Sequence, residues 1–523
     1  MSATVLVVLV SLLGGVPAAN ATARVQSRAD RTMPRFSHAH ARAVLARAKS
    51  QLRRDTARLR AHRPVGSSPE TDITMTLRDL FLARPSLTGQ ERQQADAILA
   101  RPSDNPDVDD DVVKWDAVGR ANQTNDCTGP VCVHWVDKVG DKDYATNAFA
   151  AQVKTVMQNV WNAEIGGMGY KAPLADTAAG DVTNPDSKVD VYLANLTPSG
   201  LYGYCAPDAS SSGRKAPAYC VLDNDFAGYG TTPTKALDVT AAHEFFHAIQ
   251  FAYDDAEDSW FMEGTATWME DEVYDSINDN LQFLGYSPIR FPTAPVDLTT
   301  DFHRYGSWIF FKYASERLGR DVVRQMWQLA DASTGRYSLQ AIRSAVSARV
   351  SWAPFMATFA AWNLKQPHGY SEDASYPWPT WAGTRVLSKK HKSTGWLVID
   401  LPHLSSAPLR IIPASTLKPN KHLVITVNLP PTSHGSAFLV QRRYRNGTVF
   451  NSMLALNAKG DGHARIAFNR KALSYVALIP ANTSTSMVYC GFIAGSDGGP
   501  AYSCAGRGVY DYGQRYEVRA KVR

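Results

Sequence analysis

Five consecutive residues, His243-Glu244-Phe245-Phe246-His247, bring two imidazoles and a carboxyl group within one helical turn. Residues four apart share a helix face, so both rings can reach a single metal ion. Glu244 lies beside them, where a carboxylate can hold a metal-polarised water and take its proton. A zinc ion bound by two neutral imidazoles and one carboxylate keeps an open position, and its bound water has a pKa lowered toward about 7. The third ligand is expected from Trp260-Phe261-Met262-Glu263-Gly264-Thr265-Ala266, where Glu263 follows His247 by 16 residues. Hydrolysis at such a centre also calls for a hydrogen-bond donor opposite the metal. The segment His303-Arg304-Tyr305-Gly306-Ser307-Trp308 offers Tyr305, with His303 as the alternative, although an aromatic entering a helix is more often core.

Those residues need two helices to hold them. Thr232-Pro233 makes a good helix start, with Thr as cap and Pro in the first turn, and no Gly or Pro interrupts the run to Tyr253. Glu263 begins a second apolar-faced helix, which Gly264 and Ala266 are expected to let approach the first closely. Glu270, two turns on, could orient a ligand histidine, but a surface position is the expectation. The competing reading is a buried helix whose histidines are ordinary core residues. Against it stand the unbroken helical context, the apolar neighbours Phe245, Phe246 and Ile249, and the carboxylate on the following helix.

Further helices are expected over 149–163 and 305–317, a helical stretch over 77–99 in which Ser86 or Thr88 can cap the part from Gly89 onward, and a buried strand over 189–193. From about residue 386 the apolar period becomes two, with strands over 422–429, 437–441, 464–468, 475–479 and 516–522. The fold class implied is an α+β, zincin-like catalytic domain, made of an active-site helix and a Glu-bearing helix, followed by a C-terminal all-β sandwich.

His243-Glu244-Phe245-Phe246-His247 followed by Glu263-Gly264-Thr265-Ala266-Thr267-Trp268-Met269-Glu270 resembles the gluzincin metallopeptidases. It is more closely similar to a group of exported bacterial proteins read as metalloproteases. The resemblance runs from the helical stretch at 77–99 through Leu364, and the C-terminal sandwich is less diagnostic. It implies Glu263 as zinc ligand, Glu244 as general base and Tyr305 as the helix-borne tyrosine. The chain departs from gluzincin aminopeptidases in having no G-x-M-E-N-type segment, which favours endopeptidase action.

The rest of the chain bounds the context of this centre. Residues 5–13 are almost entirely aliphatic, the length of a signal-peptide core, though no Lys or Arg precedes them. From Arg24 to Arg63 there are 12 Lys or Arg against two Asp, a net +10, so with a chain total of +6 the remainder carries −4. A mildly acidic body gives no argument for nucleic-acid binding. The expected organisation is a signal peptide (1–23), a pro-region with helical arm and linker (24–111), the metallopeptidase domain (112–365), a linker (366–385) and the sandwich (386–523). Six cysteines in close pairs, Cys127 with Cys132, Cys205 with Cys220 and Cys490 with Cys504, suit an exported, oxidised protein. The aspartates between Asp104 and Asp111 lack the ordered spacing and central Gly of an EF-hand, so calcium is not supported and a solvated linker is expected.

Together these features predict a secreted zinc endopeptidase acting on protein or peptide as a monomer, with no membrane insertion after signal removal. Two other readings compete. One is a non-catalytic secreted protein binding matrix or carbohydrate through its β-domain, which carries Trp396, Tyr444, Tyr510 and Tyr512. The other is a zinc amidase or deacetylase using the same site.

Overall fold

A computed structural model describes residues 36–59, 73–104, 113–175, 188–197, 200–208, 213–365, 369–485, 489–490, 509–510 and 513–523. The expected leader, most of the aspartate-rich run and Cys504 lie outside the described residues. Residues 33–523 form one unit, and all that follows concerns it.

The chain begins with α1 (His38–Leu59), α2 (Thr74–Ala83) and α3 (Gly89–Ile98). The stretch expected over 77–99 is two helices, and the second begins at Gly89, just after the cap positions the sequence offers. Pro85 sits in a 3₁₀ turn, Arg84–Ser86, because it lacks the N–H and its ring crowds the preceding turn. Thr88 occupies the cap position of α3 without making a side-chain cap bond.

After α4 (Ala117–Ala121) come β1 (Gln123–Asp126), β2 (Val131–Val136), α5 (Asn147–Trp161), β3 (Val189–Ala194), β4 (Gly203–Pro207) and β5 (Ala218–Asp223). They form a sheet in the order β1-β2-β3-β5-β4. Its centre, β2, β3 and β5, is parallel, while both edge strands run antiparallel. Alternation along the strands sends Val133, Val191, Leu193 and Leu222 toward the core shared with α5 and the metal-site helix. The opposite face, with Tyr192, Tyr204, Tyr219 and Val221, is covered by apolar residues of α1, α2 and α3. Both faces are thus dry, and every residue of β2 to β5 is buried. Disulfides link Cys127 to Cys132 and Cys205 to Cys220, the second joining register partners on β4 and β5.

Next come α6 (Pro233–Tyr253) and α7 (Ser259–Tyr274), then α8 (His303–Gly306), α9 (Trp308–Leu318), α10 (Asp321–Ala330), α11 (Ser338–Ser347) and α12 (Trp352–Trp362). Thr232 caps α6 as expected, its hydroxyl accepting from the Lys235 N–H at 3.4 Å. The helix expected over 305–317 starts earlier and breaks at Ser307, whose hydroxyl donates to the carbonyl oxygens of Val296 and His303. Gly264 serves a different neighbour from the one its sequence suggests. A Cβ there would lie 2.8 Å from the Phe311 ring and 3.3 Å from the Arg304 carbonyl, so its smallness seats α7 against α8 and α9, not α6.

The C-terminal region runs through β6 (Gly383–Leu387), β7 (Ser393–Leu401), β8 (Ser405–Ser406), β9 (Leu409–Pro413), β10 (His422–Asn428), β11 (Ser436–Tyr444), β12 (Val449–Met453), β13 (Asp461–Ala467), β14 (Leu473–Asn482), β15 (Tyr489–Cys490), β16 (Val509–Tyr510) and β17 (Gln514–Val522). Sheets ordered β13-β10-β17-β7 and β12-β11-β14-β9-β6 enclose an apolar core that includes Ile425, Phe438, Leu478 and Val518. This is the sandwich expected from the period-two pattern. Its outer β11–β14 face meets α12 through small residues, Ala357, Ala360 and Ala361 against Ala437, Ala477 and Ala481. Among the described residues no helix is long and apolar enough to cross a membrane.

Candidate metal centre

α6 is buried along nearly its whole length, enclosed by the sheet, α5, α7 and α10. Its last three turns bring His243 and His247 onto one side, ring centroids 4.9 Å apart. α7 crosses that side and delivers Glu263. The Glu263 Oε2 atom lies 3.4 Å from Nε2 of His243 and 3.6 Å from Nε2 of His247. Three atoms each bonded to a tetrahedral zinc at about 2.0–2.1 Å would stand about 3.4 Å apart, so these two sides have the length the ion requires, and all three atoms lie within 4.8 Å of one another.

Two of these residues leave their donor atoms without other employment. Nε2 of His243 and both carboxylate oxygens of Glu263 are buried with no hydrogen-bond partner. Burial alone would raise the Glu263 carboxyl, but the two imidazoles and Arg304 outweigh it and hold the group well below the usual carboxylate range. Burial likewise opposes charge on His243, yet Glu263, Glu270 and Glu244 around it raise its pKa well above the ordinary value. Three acidic groups facing two imidazoles make a neighbourhood that favours a cation. These features fit a divalent metal.

The outer nitrogens of both rings are occupied. Nδ1 of His243 is 2.7 Å from Glu270 Oε1, and Nδ1 of His247 is 2.7 Å from Gln250 Oε1. Glu270 is therefore buried against His243, not at the surface as expected, because seven residues along α7 return it to the face that carries Glu263. Burial pushes its carboxyl up to about 7, with His243 pulling the other way.

Glu244 points its carboxylate at the N-terminus of α2, where Thr74 Oγ1 donates to Oε2 at 3.1 Å. The same hydroxyl accepts from the N–H of Cys205 on edge strand β4 at 2.9 Å. Tyr305 is buried beside the centre, its ring centroid 6.3 Å from that of His243 and stacked on Phe283 at 4.9 Å. His303 turns elsewhere: Nε2 lies 2.9 Å from the Pro295 carbonyl oxygen, and burial pushes its pKa down to about 4. The structure thus brings His243, Glu244, His247, Glu263 and Tyr305 together and leaves out His303. Access is closed in this conformation, since His247 and Glu263 are fully buried while Glu244 and His243 are 4% and 6% exposed.

Sequence reasoning missed Thr74 and Gln250, and also Glu164, which lies on a π-helical turn (Asn162–Gly167) after α5. The Glu164 carboxyl is fully buried, neither oxygen is hydrogen-bonded, and the charge of His243 acts on it. Glu164 gives no sequence signal, because a lone Glu after an amphipathic helix reads as solvated. Gln250, three residues after His247, shares its helix face and could have been found by spacing.

Among the described residues, two other groupings have the dimensions of a metal site. In the first, Cys127 and Cys132 of the Cys127–Cys132–His134 set are consumed by their disulfide. In the second, Asp271 of the Asp271–Asp275–Glu372 set already pairs with Lys312 at 2.6 Å.

A family described as "Family of unknown function (DUF6055)" matches residues 92–348, a span that opens in α3, closes just past α11 and contains the whole centre. No curated protein matches the chain.

Proposed function

We propose that this chain is a secreted zinc-dependent hydrolase of peptide bonds, zincin-like in its catalytic region, with His243, His247 and Glu263 as ligands in the gluzincin manner. The observation that carries the proposal is the triangle of Nε2, Nε2 and Oε2, closed at 3.4 and 3.6 Å with Glu244 alongside. When bound there, zinc supplies Lewis acidity and a water acidified toward about pKa 7. Glu244 would serve as general base, taking a proton from the attacking water and returning it to the leaving amine. Tyr305, beside His243, is the candidate donor to the developing oxyanion. Glu270 and Gln250 hold the two imidazoles in place.

The described conformation is a latent one under this reading. Thr74 engages the general base, and the centre's residues are too buried to admit a polypeptide, so turnover requires the first turn of α2 to move off β4. A precursor whose N-terminal arm restrains the site fits that arrangement.

Metal analysis together with Glu244→Gln tests the proposal. The expected result is one zinc per chain in both proteins and a turnover loss of about 10²–10⁴-fold in the variant. Zinc-free wild type, or full turnover by Glu244→Gln, rejects it. The same apparatus would serve an amidase or a carbohydrate deacetylase, and a peptide-library cleavage profile separates these from a peptidase.

A further inference from the structure

We infer that Gln250 is a positioning residue that sets the tautomer of His247 and so aims its Nε2 lone pair into the centre before any metal arrives. The inference rests on the metal-site reading above. It begins with a fully buried amide whose two ends can be told apart by their partners. One end lies 2.9 Å from the Met262 carbonyl oxygen and 3.2 Å from Thr265 Oγ1. A carbonyl oxygen only accepts, so that end of Gln250 must be the NH₂ group. Thr265 agrees, because its hydroxyl hydrogen is committed to the Phe261 carbonyl at 2.6 Å and its oxygen is left to accept, from Gln250 and from Trp327 Nε1.

The other end is then the carbonyl oxygen, which also only accepts, 2.7 Å from His247 Nδ1. Nδ1 must therefore carry the hydrogen. In the neutral ring this strips Nε2, which faces Glu263 Oε2 at 3.6 Å. Metal-ligating histidines are generally held in this way by a partner on the far nitrogen.

At His243 the partner on Nδ1 is instead the carboxyl of Glu270 on α7, which favours the same tautomer when it is ionised. Gln250 does its work without adding another acidic group to those around His243. It also joins the two helices, because its NH₂ grips the carbonyl of Met262, the residue before Glu263. One amide thus fixes the ring of one ligand and the backbone next to another.

The test uses full-length protein, with zinc affinity measured by chelator competition and the histidine tautomers of the metal-free form read by ¹⁵N NMR. Wild type should show His247 protonated at Nδ1. Gln250→Leu should weaken zinc binding by about 10–100-fold, and Gln250→Glu, which keeps the acceptor, should recover most of it. Three outcomes overturn the inference: an Nε2–H His247 in metal-free wild type, a Gln250→Leu variant with wild-type zinc affinity, or a loss of thermal stability in that variant with zinc affinity unchanged. If wild type itself binds no zinc, the metal reading fails, while the tautomer of His247 still decides the positioning claim. Should Gln250→Leu not fold, the NMR of wild type and the Gln250→Glu affinity decide it.

Discussion

The two β-containing regions of this molecule bury their sheets differently. In the N-terminal sheet β3 and β5 are buried at every residue, whereas β13 in the sandwich alternates and never reaches full burial. Helices on both faces explain the first, and solvent along one face explains the second. Polar groups follow the same division. The polar groups buried in the sandwich are neutral ones such as Ser436, Gln441, Asn482 and the Tyr516 hydroxyl, while the helical region buries His243, Glu244, His247, Glu263, Glu270 and Glu164 within one neighbourhood. Burying ionisable groups is costly, and their concentration in one region marks it as the candidate functional site.

Substitutions that separate the two regions test this contrast. The largest effect is expected at the ligands: His247→Ala or Glu263→Ala should weaken zinc binding by about 10³-fold or more, at about 4 kcal/mol per ligand. Wild-type zinc affinity in both variants would erase the distinction between the regions. In the sandwich, Ile425→Ala should cost about 2–5 kcal/mol of stability and leave zinc affinity alone, because Ile425 is fully buried in a separate core. A parallel fall in zinc affinity would show that α12 couples the regions energetically.

A third effect depends on pH. His303 is held neutral by burial, with its pKa pushed down to about 4, while the unfolded chain titrates near 6.5. The unfolded state therefore binds more protons between those values. Stability from this group is complete above pH ~6.5 and is lost as pH falls toward 4, by up to about 3 kcal/mol. Urea unfolding of wild type and His303→Gln at pH 7.5 and 5 should show a steeper decline in wild type, and equal slopes would refute the assignment. The smallest effect is expected at Thr74. Thr74→Val removes one hydrogen bond to Glu244, worth about 0.5–1.5 kcal/mol, and should raise turnover of a short peptide severalfold. Unchanged or lower turnover would mean that the hydroxyl does not restrain the base.

Much of the centre was legible because its geometry is local. The spacing of His243 and His247 along one helix needs no tertiary knowledge, and Glu263 follows within a short connection. The sandwich was legible for a similar reason, since solvent on one face leaves a period of two in the sequence. Contacts between distant segments left no such trace. Thr74 meets Glu244 across 170 residues, and nothing in the sequence around either announces the other. Gly264 was read as making room for α6 when its neighbours are Phe311 and Arg304. Glu270 was expected in solvent because a charged residue two turns along a helix ordinarily is; only the return of α7 past His243 buries it. The start of α3 after Thr88 was legible, because Ser86 and Thr88 are cap residues just before Gly89.

The aromatic underside of the N-terminal sheet bears on how such a protein would be processed. Tyr192, Tyr204 and Tyr219 are roofed by α1, α2 and α3, and the Tyr219 hydroxyl donates to the carbonyl oxygens of Leu99 and Ala100. A cut between Ile98 and Trp115 would therefore yield a nicked, two-piece protein whose fragments stay together on a gel-filtration column and separate only in denaturant. Maturation by this route would loosen the first turn of α2 without shedding the arm.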